Sequence, residues 1–194
     1  MQVARCWVSA ALLGALVLMS GCADDDDNGG APEERTGDTG GQDLTLTDAQ
    51  IVRVLVVANE GEVMLGELGQ QRATNSAVRD FSTRMVNEHT AARQRLDPLL
   101  QSENLQPEES VISQQLQEEV QRMMEALRDL QGERFDLALM DAQVAVHART
   151  AMVGDALLTP QVRNTALSQE LQAQRQTVQT HLQDAAAIQA DLFP

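Results

Sequence analysis

Three histidines and one glutamate lie where a helical pattern places apolar side chains. His89, His147 and His181 are the only histidines in the chain, and each lies on the apolar stripe of a different predicted helix. Glu62 lies on the stripe of a fourth helix. Burying a charged carboxylate is costly unless it is paired, hydrogen-bonded, bound to a metal or neutralised. Glu62 therefore requires a partner, and the histidines are the obvious candidates.

Two histidines and one glutamate can hold a single transition-metal ion. We predict Glu62, His89 and His147 as the ligands of such a site, which suits zinc, copper or iron. Copper is conceivable because Met85 lies four residues before His89. Di-iron carboxylate bundles instead use Glu-x-x-His on two helices. The sequence argues against that site, because the residues three before each histidine are Val86, Val144 and Val178.

A second polar pair is predicted at a different height in the bundle. In an antiparallel hairpin, residues equidistant from the turn face each other, and the rise is about 1.5 Å per residue. Counting from a turn near residue 159 places His181 closer to the level of Asp136 than to that of His147. Counting from a turn near residue 73 separates Glu62 and His89 by about 7 Å in height. We therefore expect an Asp136 and His181 pair about three helical turns from the metal ligands.

The same residues have two other interpretations. Buried His and Glu side chains often form a satisfied hydrogen-bond network that fixes helix register. They can also be catalytic, but the sequence contains no nucleophile elbow, phosphate-binding loop, glycine-rich dinucleotide turn or His-Glu-x-x-His motif. The sequence therefore favours a protein that is not an enzyme. It leaves the structural network and the metal site both open.

From Thr47 onward the pattern predicts an all-α domain. Apolar residues recur at intervals of three and four, and Gly and Pro become rare. Helix A is predicted from the Thr47 capping box to about Arg72, and helix B from the Asn75 cap until Pro98 kinks or ends it. A connecting helix follows, with Ile112 to Leu130 on its apolar stripe and Gly132 at its end. Helix C is predicted from Glu133 to about Leu158, and helix D has Pro160 in its first turn and Leu192 near its end. The connecting helix is expected to pack across the outside. The fold class is thus a ferritin-like four-helix bundle with one long crossover that carries an extra helix.

The first 46 residues predict export and anchoring. Residues 1–21 have a charged start and a short apolar run, as in a secretory signal that is too short to span a membrane. The ending Leu18-Met19-Ser20-Gly21-Cys22 resembles the lipobox of bacterial lipoproteins, which predicts a lipid on Cys22. Residues 22–46 are expected to form an acidic, disordered tether, and residues 47–194 to form the helical bundle. By resemblance to Gram-negative lipoproteins, Ala23 favours an outer-membrane lipoprotein that faces the periplasm.

Charge and composition exclude several partners. The formal net charge is −15, there is no Tyr, and the only Trp is Trp7. Such a chain repels phosphate backbones and anionic headgroups and has no base-stacking platform. We therefore expect no nucleic-acid partner, and contact with the membrane through the lipid anchor only. A protein partner in the envelope remains open.

Dispersed motifs in the helical part resemble a known bacterial family. They are Ala58-Asn59-Glu60-Gly61-Glu62-Val63-Met64-Leu65-Gly66, Arg84-Met85-Val86-Asn87-Glu88-His89-Thr90, Phe135-Asp136, Gln143-Val144-Ala145-Val146-His147 and His181-Leu182. Together they resemble the bacterial domain-of-unknown-function family 4142, often labelled predicted outer membrane protein and similar to ferritin-like bundles. The resemblance covers about Leu46 to Ala190. It implies a secreted helical bundle with pattern positions at Glu62, His89, Asp136, His147 and His181, and it carries no agreed activity. The chain departs from the family pattern near Met140 and at Glu88.

Two functions from different classes follow. The first is an envelope lipoprotein whose bundle is a non-catalytic binding or interaction module. The second is a periplasmic metal-binding or metal-redox bundle that uses the core histidines and Glu62. Stabilisation by a metal distinguishes the two, because a ligand that binds only the folded state raises the free energy of unfolding.

Overall fold

Five α-helices follow one another along residues 44–193, the part of the chain that this computed structural model describes. They are α1 (Asp48–Arg72), α2 (Ser76–Ser102), α3 (Val111–Leu127), α4 (Gly132–Val153), which continues as a π-helix over Gly154–Leu158, and α5 (Thr165–Leu192). Within these residues no helix combines the length and the apolar character that crossing a bilayer requires. The predicted signal peptide, the predicted lipidation site Cys22 and the predicted tether up to residue 43 lie outside the described residues.

Side-chain caps set the start of most helices. Thr47 and Gln50 form the predicted capping box of α1, in which each side chain accepts from the backbone N–H of the other residue. Asn75 caps α2 as predicted, and Ser110 caps α3. The helix starts predicted at Thr47 and Asn75 are confirmed, whereas the Ser110 cap was not predicted.

Contacts at the helix ends define the topology. The carboxylate of Asp48 accepts from the backbone N–H groups of Arg163 and Asn164, which brings the starts of α1 and α5 together. The carbonyl of Ala49 accepts from the N–H of Glu108, so the chain enters α3 at the same end. Because short turns reverse the chain after α1 and after the π-helix, α2 and α4 run in the opposite direction. The predicted bundle with a single crossover is confirmed.

Helix α3 is the extra helix of that crossover, and it packs on the outside of the bundle along α1. Its buried residues are Ile112, Ser113, Leu116, Val120 and Leu127. At its far end, the guanidinium of Arg72 donates to the carbonyls of Leu127 and Arg128. An ion pair of 3.4 Å between Arg149 and Glu119 ties α3 to α4. The expected position of the connecting helix is therefore also confirmed.

Two apolar clusters form the core, and polar residues separate them along each bundle helix. The lower cluster contains Val54, Leu55, Leu96, Leu158 and Leu171, among others. The upper cluster contains Leu65, Phe81, Met85, Phe135 and Leu139, among others. The buried polar residues whose sequence positions fall between these sets are Asn59, Glu62, His89, His147, Gln174 and His181. We call these six residues the polar layer.

A glycine allows the closest approach between α1 and its neighbours. A Cβ added at Gly69 would lie 2.0 Å from Ser82 Oγ and 2.7 Å from Leu139 Cδ2. Both distances are far below van der Waals contact, so α2 and α4 can pack here only against a residue without a side chain.

Two predicted helix boundaries were wrong, and at a third one of two alternatives is excluded. Pro98 was predicted to kink or end α2; it does not end the helix, which continues to Ser102 because Leu99 and Leu100 still pack against the lower cluster. Gly132 begins α4 with a φ of 58° and does not close α3, which ends at Leu127. Pro160 is not in the first turn of α5, because that helix starts only at Thr165, where the Asn164 side chain caps it.

Candidate metal site

The three histidines meet inside the polar layer. His89 on α2, His147 on α4 and His181 on α5 are all buried. Each offers one ring nitrogen, and these three nitrogens lie within 4.8 Å of one another. The distances between ring centroids are 5.1 to 5.8 Å. Three helices that are far apart in sequence thus place imidazole nitrogens around one point.

His147 has one nitrogen bonded and the other free. Its Nδ1 lies 2.7 Å from the backbone carbonyl oxygen of Gln143, one helical turn earlier. A carbonyl only accepts, so Nδ1 carries the proton and donates it. The other nitrogen, Nε2, is buried and has no hydrogen-bond partner among the residues that the structure describes. The lone pair of Nε2 is therefore available to a ligand.

The orientation of His89 is fixed by a chain of amides. His89 Nδ1 lies 3.0 Å from Asn59 Oδ1. The Asn59 amide nitrogen donates to the carbonyl of Leu55 at 2.7 Å and to Gln174 Oε1 at 2.9 Å, which identifies Oδ1 as the acceptor end. Gln174 in turn donates to Glu170. His89 therefore donates from Nδ1, and its Nε2 keeps a lone pair.

His181 has an acidic outer partner. Its Nε2 lies 2.7 Å from Glu88 Oε2, so the ring donates to that carboxylate from Nε2. Its Nδ1 lies 3.2 Å from His89 Nε2. In the neutral ring Nδ1 carries a lone pair, and two lone pairs then face each other at that distance. Only a proton or a cation between the two nitrogens relieves this arrangement.

Each histidine therefore has an outer acceptor that fixes its tautomer. Gln143 O, Asn59 Oδ1 and Glu88 Oε2 take one N–H each, which leaves His147 Nε2, His89 Nε2 and His181 Nδ1 without a proton. Outer partners of this kind orient the histidine ligands of metal sites and raise their basicity.

Burial keeps the three rings neutral at ordinary pH. It lowers the pKa of His89 well below its usual value, and charge on His147 or His181 lowers it further. Burial lowers the pKa of His147 to about 4. It also lowers the pKa of His181, against the opposing effect of Glu88. Neutral imidazole is the form that binds metals.

Glu62 lies beside the histidines without joining their hydrogen bonds. Its Oε1 is 3.4 Å from His147 Nδ1, and neither carboxyl oxygen has a hydrogen-bond partner among residues 44–193. Burial raises the pKa of Glu62 well above its usual value. Because burial also lowers the pKa of His147, it disfavours the charged form of both groups in this contact. The geometry thus places Glu62 next to the predicted ligands, while its ligand role stays a prediction.

The predicted pair of Asp136 and His181 does not form. Asp136 lies at the turn between α1 and α2, where its carboxylate accepts from the N–H of Thr74 at 2.9 Å, from the hydroxyl of Thr74 at 2.5 Å and from the N–H of Asn75 at 2.8 Å. It is a capping group for this turn. His181 instead bonds to His89 and Glu88.

The height arithmetic failed because it placed the turn before α5 too early. Helix α5 begins at Thr165, whereas the count assumed a turn near residue 159. With this later start, the residue of α5 that lies at the height of His147 is further along the helix and closer to His181. Sequence reasoning therefore missed His181 as a member of the histidine group. The signal available in the sequence was that His181 and Gln174, two polar residues, share the apolar stripe of α5, and both are buried.

An aromatic ring closes the side of the site that faces the upper cluster. The ring centroid of Phe81 lies 6.4 Å from that of His147 and 6.5 Å from that of His181, both in edge arrangements. Phe81 is itself buried. The histidines therefore stand in an apolar, low-dielectric surrounding, which strengthens the electrostatic interactions of any ion held there.

Comparison with known proteins identifies the family. The family model described as "Domain of unknown function (DUF4142)" matches residues 33–188. No curated protein matches the chain, and no solved structure does. The matched segment covers most of the 194 residues and contains the whole polar layer. The chain therefore belongs to the DUF4142 family.

Proposed function

We propose that this protein binds one transition-metal ion in its polar layer, with His89, His147 and His181 as the ligands. The observation that carries this proposal is the convergence of three neutral histidines whose outer partners leave one lone pair each. A purely structural network of the kind described above has its donors matched to acceptors. Here the lone pairs of His89 Nε2 and His181 Nδ1 face each other, and His147 Nε2 has no hydrogen-bond partner among the described residues.

The spacing of the nitrogens supports this proposal. Four ligands arranged tetrahedrally at about 2.0 to 2.1 Å from zinc lie about 3.3 Å from one another. The distance of 3.2 Å between His89 Nε2 and His181 Nδ1 matches this value. A ring nitrogen of His147 lies within 4.8 Å of a nitrogen of each of the other two histidines, so binding of one ion requires His147 to move closer to this pair. Imidazole suits zinc, copper and iron, and of these the general affinity order favours copper.

A site with three protein ligands keeps one position for an exogenous ligand. In zinc proteins, this open position distinguishes reactive sites from closed structural ones. The three ligands are identical in type and uncharged. The complex therefore keeps the full charge of the metal ion, and an anion or a polar small molecule is the natural fourth ligand. Glu62, 3.4 Å from His147, is the nearby carboxyl group that meets this requirement within the protein.

Metal content of the purified full-length chain tests the proposal. We expect close to one equivalent of metal by mass spectrometry after exposure to zinc or copper, and loss of that metal in His89→Ala, His147→Ala and His181→Ala. The matched control is Asn87→Ala, an exposed polar position two residues before His89. A melting temperature that is the same with metal and with a chelator would exclude the site, because binding to the folded state must stabilise it.

We also propose that the protein acts in the cell envelope as a lipoprotein. The support is the lipobox-like segment that ends at Cys22, followed by an acidic stretch. Incorporation of labelled palmitate into the wild-type chain and its loss in Cys22→Ser would test the anchor. Unchanged labelling of Cys22→Ser would refute it. The metal site does not depend on this result.

A further inference from the structure

A cavity of about 160 Å³ lies directly below the histidines, on the side of the lower apolar cluster. Its walls come from all four bundle helices, from α3 through Leu116, and from the π-helix through Gly154 and Leu158. Single turns of π-helix inside α-helices are frequent at functional sites. The cavity therefore occupies the part of the bundle where the regular helical packing is interrupted.

The cavity opens between α2 and α5. Three of its lining residues, Glu88, Ala91 and Arg95, are exposed, and all three lie on α2. They form a window that is bounded at one end by the ion pair between Arg95 and Glu170 and at the other by the bond between Glu88 and His181. A small side chain, Ala91, lies between these two polar bridges. His89 lines the same cavity, so a small molecule bound here contacts that histidine.

The inner end of the cavity is polar, whereas most of its wall is apolar. Asn59, Glu62 and His89 line this end. The side-chain oxygens of Asn59 and Gln174 are already bonded within the amide chain. Glu62 is 1% exposed, and both of its carboxyl oxygens are without a hydrogen-bond partner among the described residues. A ligand that fills this cavity and donates one hydrogen bond supplies the partner that Glu62 lacks.

We propose that this cavity binds a small neutral organic molecule, with an apolar body about the size of a six-membered ring and one hydroxyl group that donates to the carboxyl of Glu62. The size follows from the volume, because an apolar cavity of about 150 Å³ holds benzene. Neutrality follows from the wall, since burying a net charge among apolar side chains is costly. The proposal deepens the proposed function, because the head of the ligand would lie next to His89. Binding to the metal-free chain is nevertheless a separate measurement.

A series of ring compounds of one size provides the test. Phenol, toluene, benzoate and benzylammonium are titrated into the full-length chain, freed of metal by a chelator, with calorimetry and ligand-observed NMR as readouts. We expect saturable one-to-one binding of phenol, weaker binding of toluene by threefold to tenfold, and weaker binding of both ions by at least tenfold. Absence of saturable phenol binding, or tighter binding of either ion, would overturn the proposal.

Variants locate the ligand. Ala92→Leu fills the cavity from α2 and should abolish phenol binding, whereas Ala145→Leu on the exposed face of α4 should leave it unchanged. Ala58→Leu enters the same cavity from α1 and replaces the first variant if that one does not fold. Glu62→Gln keeps an acceptor and should keep the preference for phenol over toluene, whereas Glu62→Leu should remove it. Phenol binding that survives both cavity-filling variants would show that the ligand binds elsewhere.

Titration with zinc separates this proposal from the metal site. Loss of zinc binding with phenol binding intact would refute the metal site and retain the cavity. Zinc binding without phenol binding would refute the cavity ligand and retain the metal site.

Discussion

Asn59 Oδ1 lies 3.0 Å from His89 Nδ1, and this contact joins α1 to α2 at the level of the histidines. The Asn59 amide nitrogen is held by the carbonyl of Leu55 and by Gln174, so the amide cannot turn over without losing both bonds. One side chain on α1 thereby determines which nitrogen of His89 faces His181.

We expect Asn59→Leu to weaken metal binding without removing a ligand. The substitution leaves the His89 tautomer unfixed, and loss of an outer partner of this kind lowers metal affinity about 10- to 100-fold. Competition with a chromophoric chelator measures the dissociation constant. Asn87→Leu, at an exposed position on α2, is the matched control and should keep the wild-type affinity. An unchanged affinity in Asn59→Leu would contradict the assigned role of the amide.

The metal-free protein should lose stability as the pH falls below about 6.5. Burial lowers the pKa values of all three histidines, so the unfolded chain binds protons that the folded chain does not. This contribution is complete above the usual histidine pKa of 6.5 and declines as the pH drops towards about 4, the pKa of His147. Each buried histidine that stays neutral costs about 1.4 kcal/mol per pH unit. Urea unfolding followed by circular dichroism at pH 7, 6 and 5 measures the slope.

Glu62 contributes a pH dependence of stability with the opposite sign to that of the histidines, which supplies an internal control. Its raised pKa means that the folded chain holds a proton that the unfolded chain releases above pH 4.5, so its contribution to stability declines as the pH rises. From pH 4.5 up to the raised pKa of Glu62, we expect the stability of the wild type to decline relative to that of Glu62→Gln. Above that pKa the difference between the two stabilities should be constant. A decline of the same size in Glu62→Gln would show that another group is responsible.

Asp136→Ala should be strongly destabilising and should leave metal binding intact. The substitution removes the acceptor for two backbone N–H groups and one hydroxyl at the turn between α1 and α2. Leaving such donors unpaired costs about 1 to 3 kcal/mol each when they are buried, and these are partly exposed. We therefore expect a loss of about 2 to 4 kcal/mol in the free energy of unfolding. Loss of metal from folded Asp136→Ala would place this residue in the site after all.

Substituting alanine for two glycines should change the free energy of unfolding in opposite directions. At Gly69 a Cβ would lie 2.0 Å from Ser82 Oγ, so Gly69→Ala forces the helices apart and should cost about 1 to 3 kcal/mol. At Gly154 the nearest atom to a new Cβ is Arg175 Cδ at 3.9 Å, and the backbone has right-handed helical angles. Gly154→Ala should therefore stabilise the fold by about 0.4 to 1 kcal/mol. Thermal unfolding of both variants beside the wild type decides the comparison, and a stable Gly69→Ala would contradict the tight packing.

Local sequence patterns were sufficient to predict the helices and the burial of their polar residues. Apolar spacing, the Thr47 capping box and the Asn75 cap involve residues no more than a few positions apart, and they act within one helix. The same spacing placed Glu62, His89, His147 and His181 on inward faces, and all of them are buried. A pattern that spans only a few residues along one helix indicates which face of that helix is buried.

Which of these residues contact one another depends on how the helices pack, and local patterns did not predict it. The relative heights of two helices depend on where each begins, and the chain between the π-helix and Thr165 shifts α5 by several residues from the predicted start. At about 1.5 Å per residue, a shift of about five residues is about 7 Å, or more than one helical turn. It moves the level of His147 towards His181, which contacts His89, while Asp136 caps the turn between α1 and α2. The roles of Asn59 and Glu88 as outer partners arise from packing between helices, which no spacing along a single helix encodes.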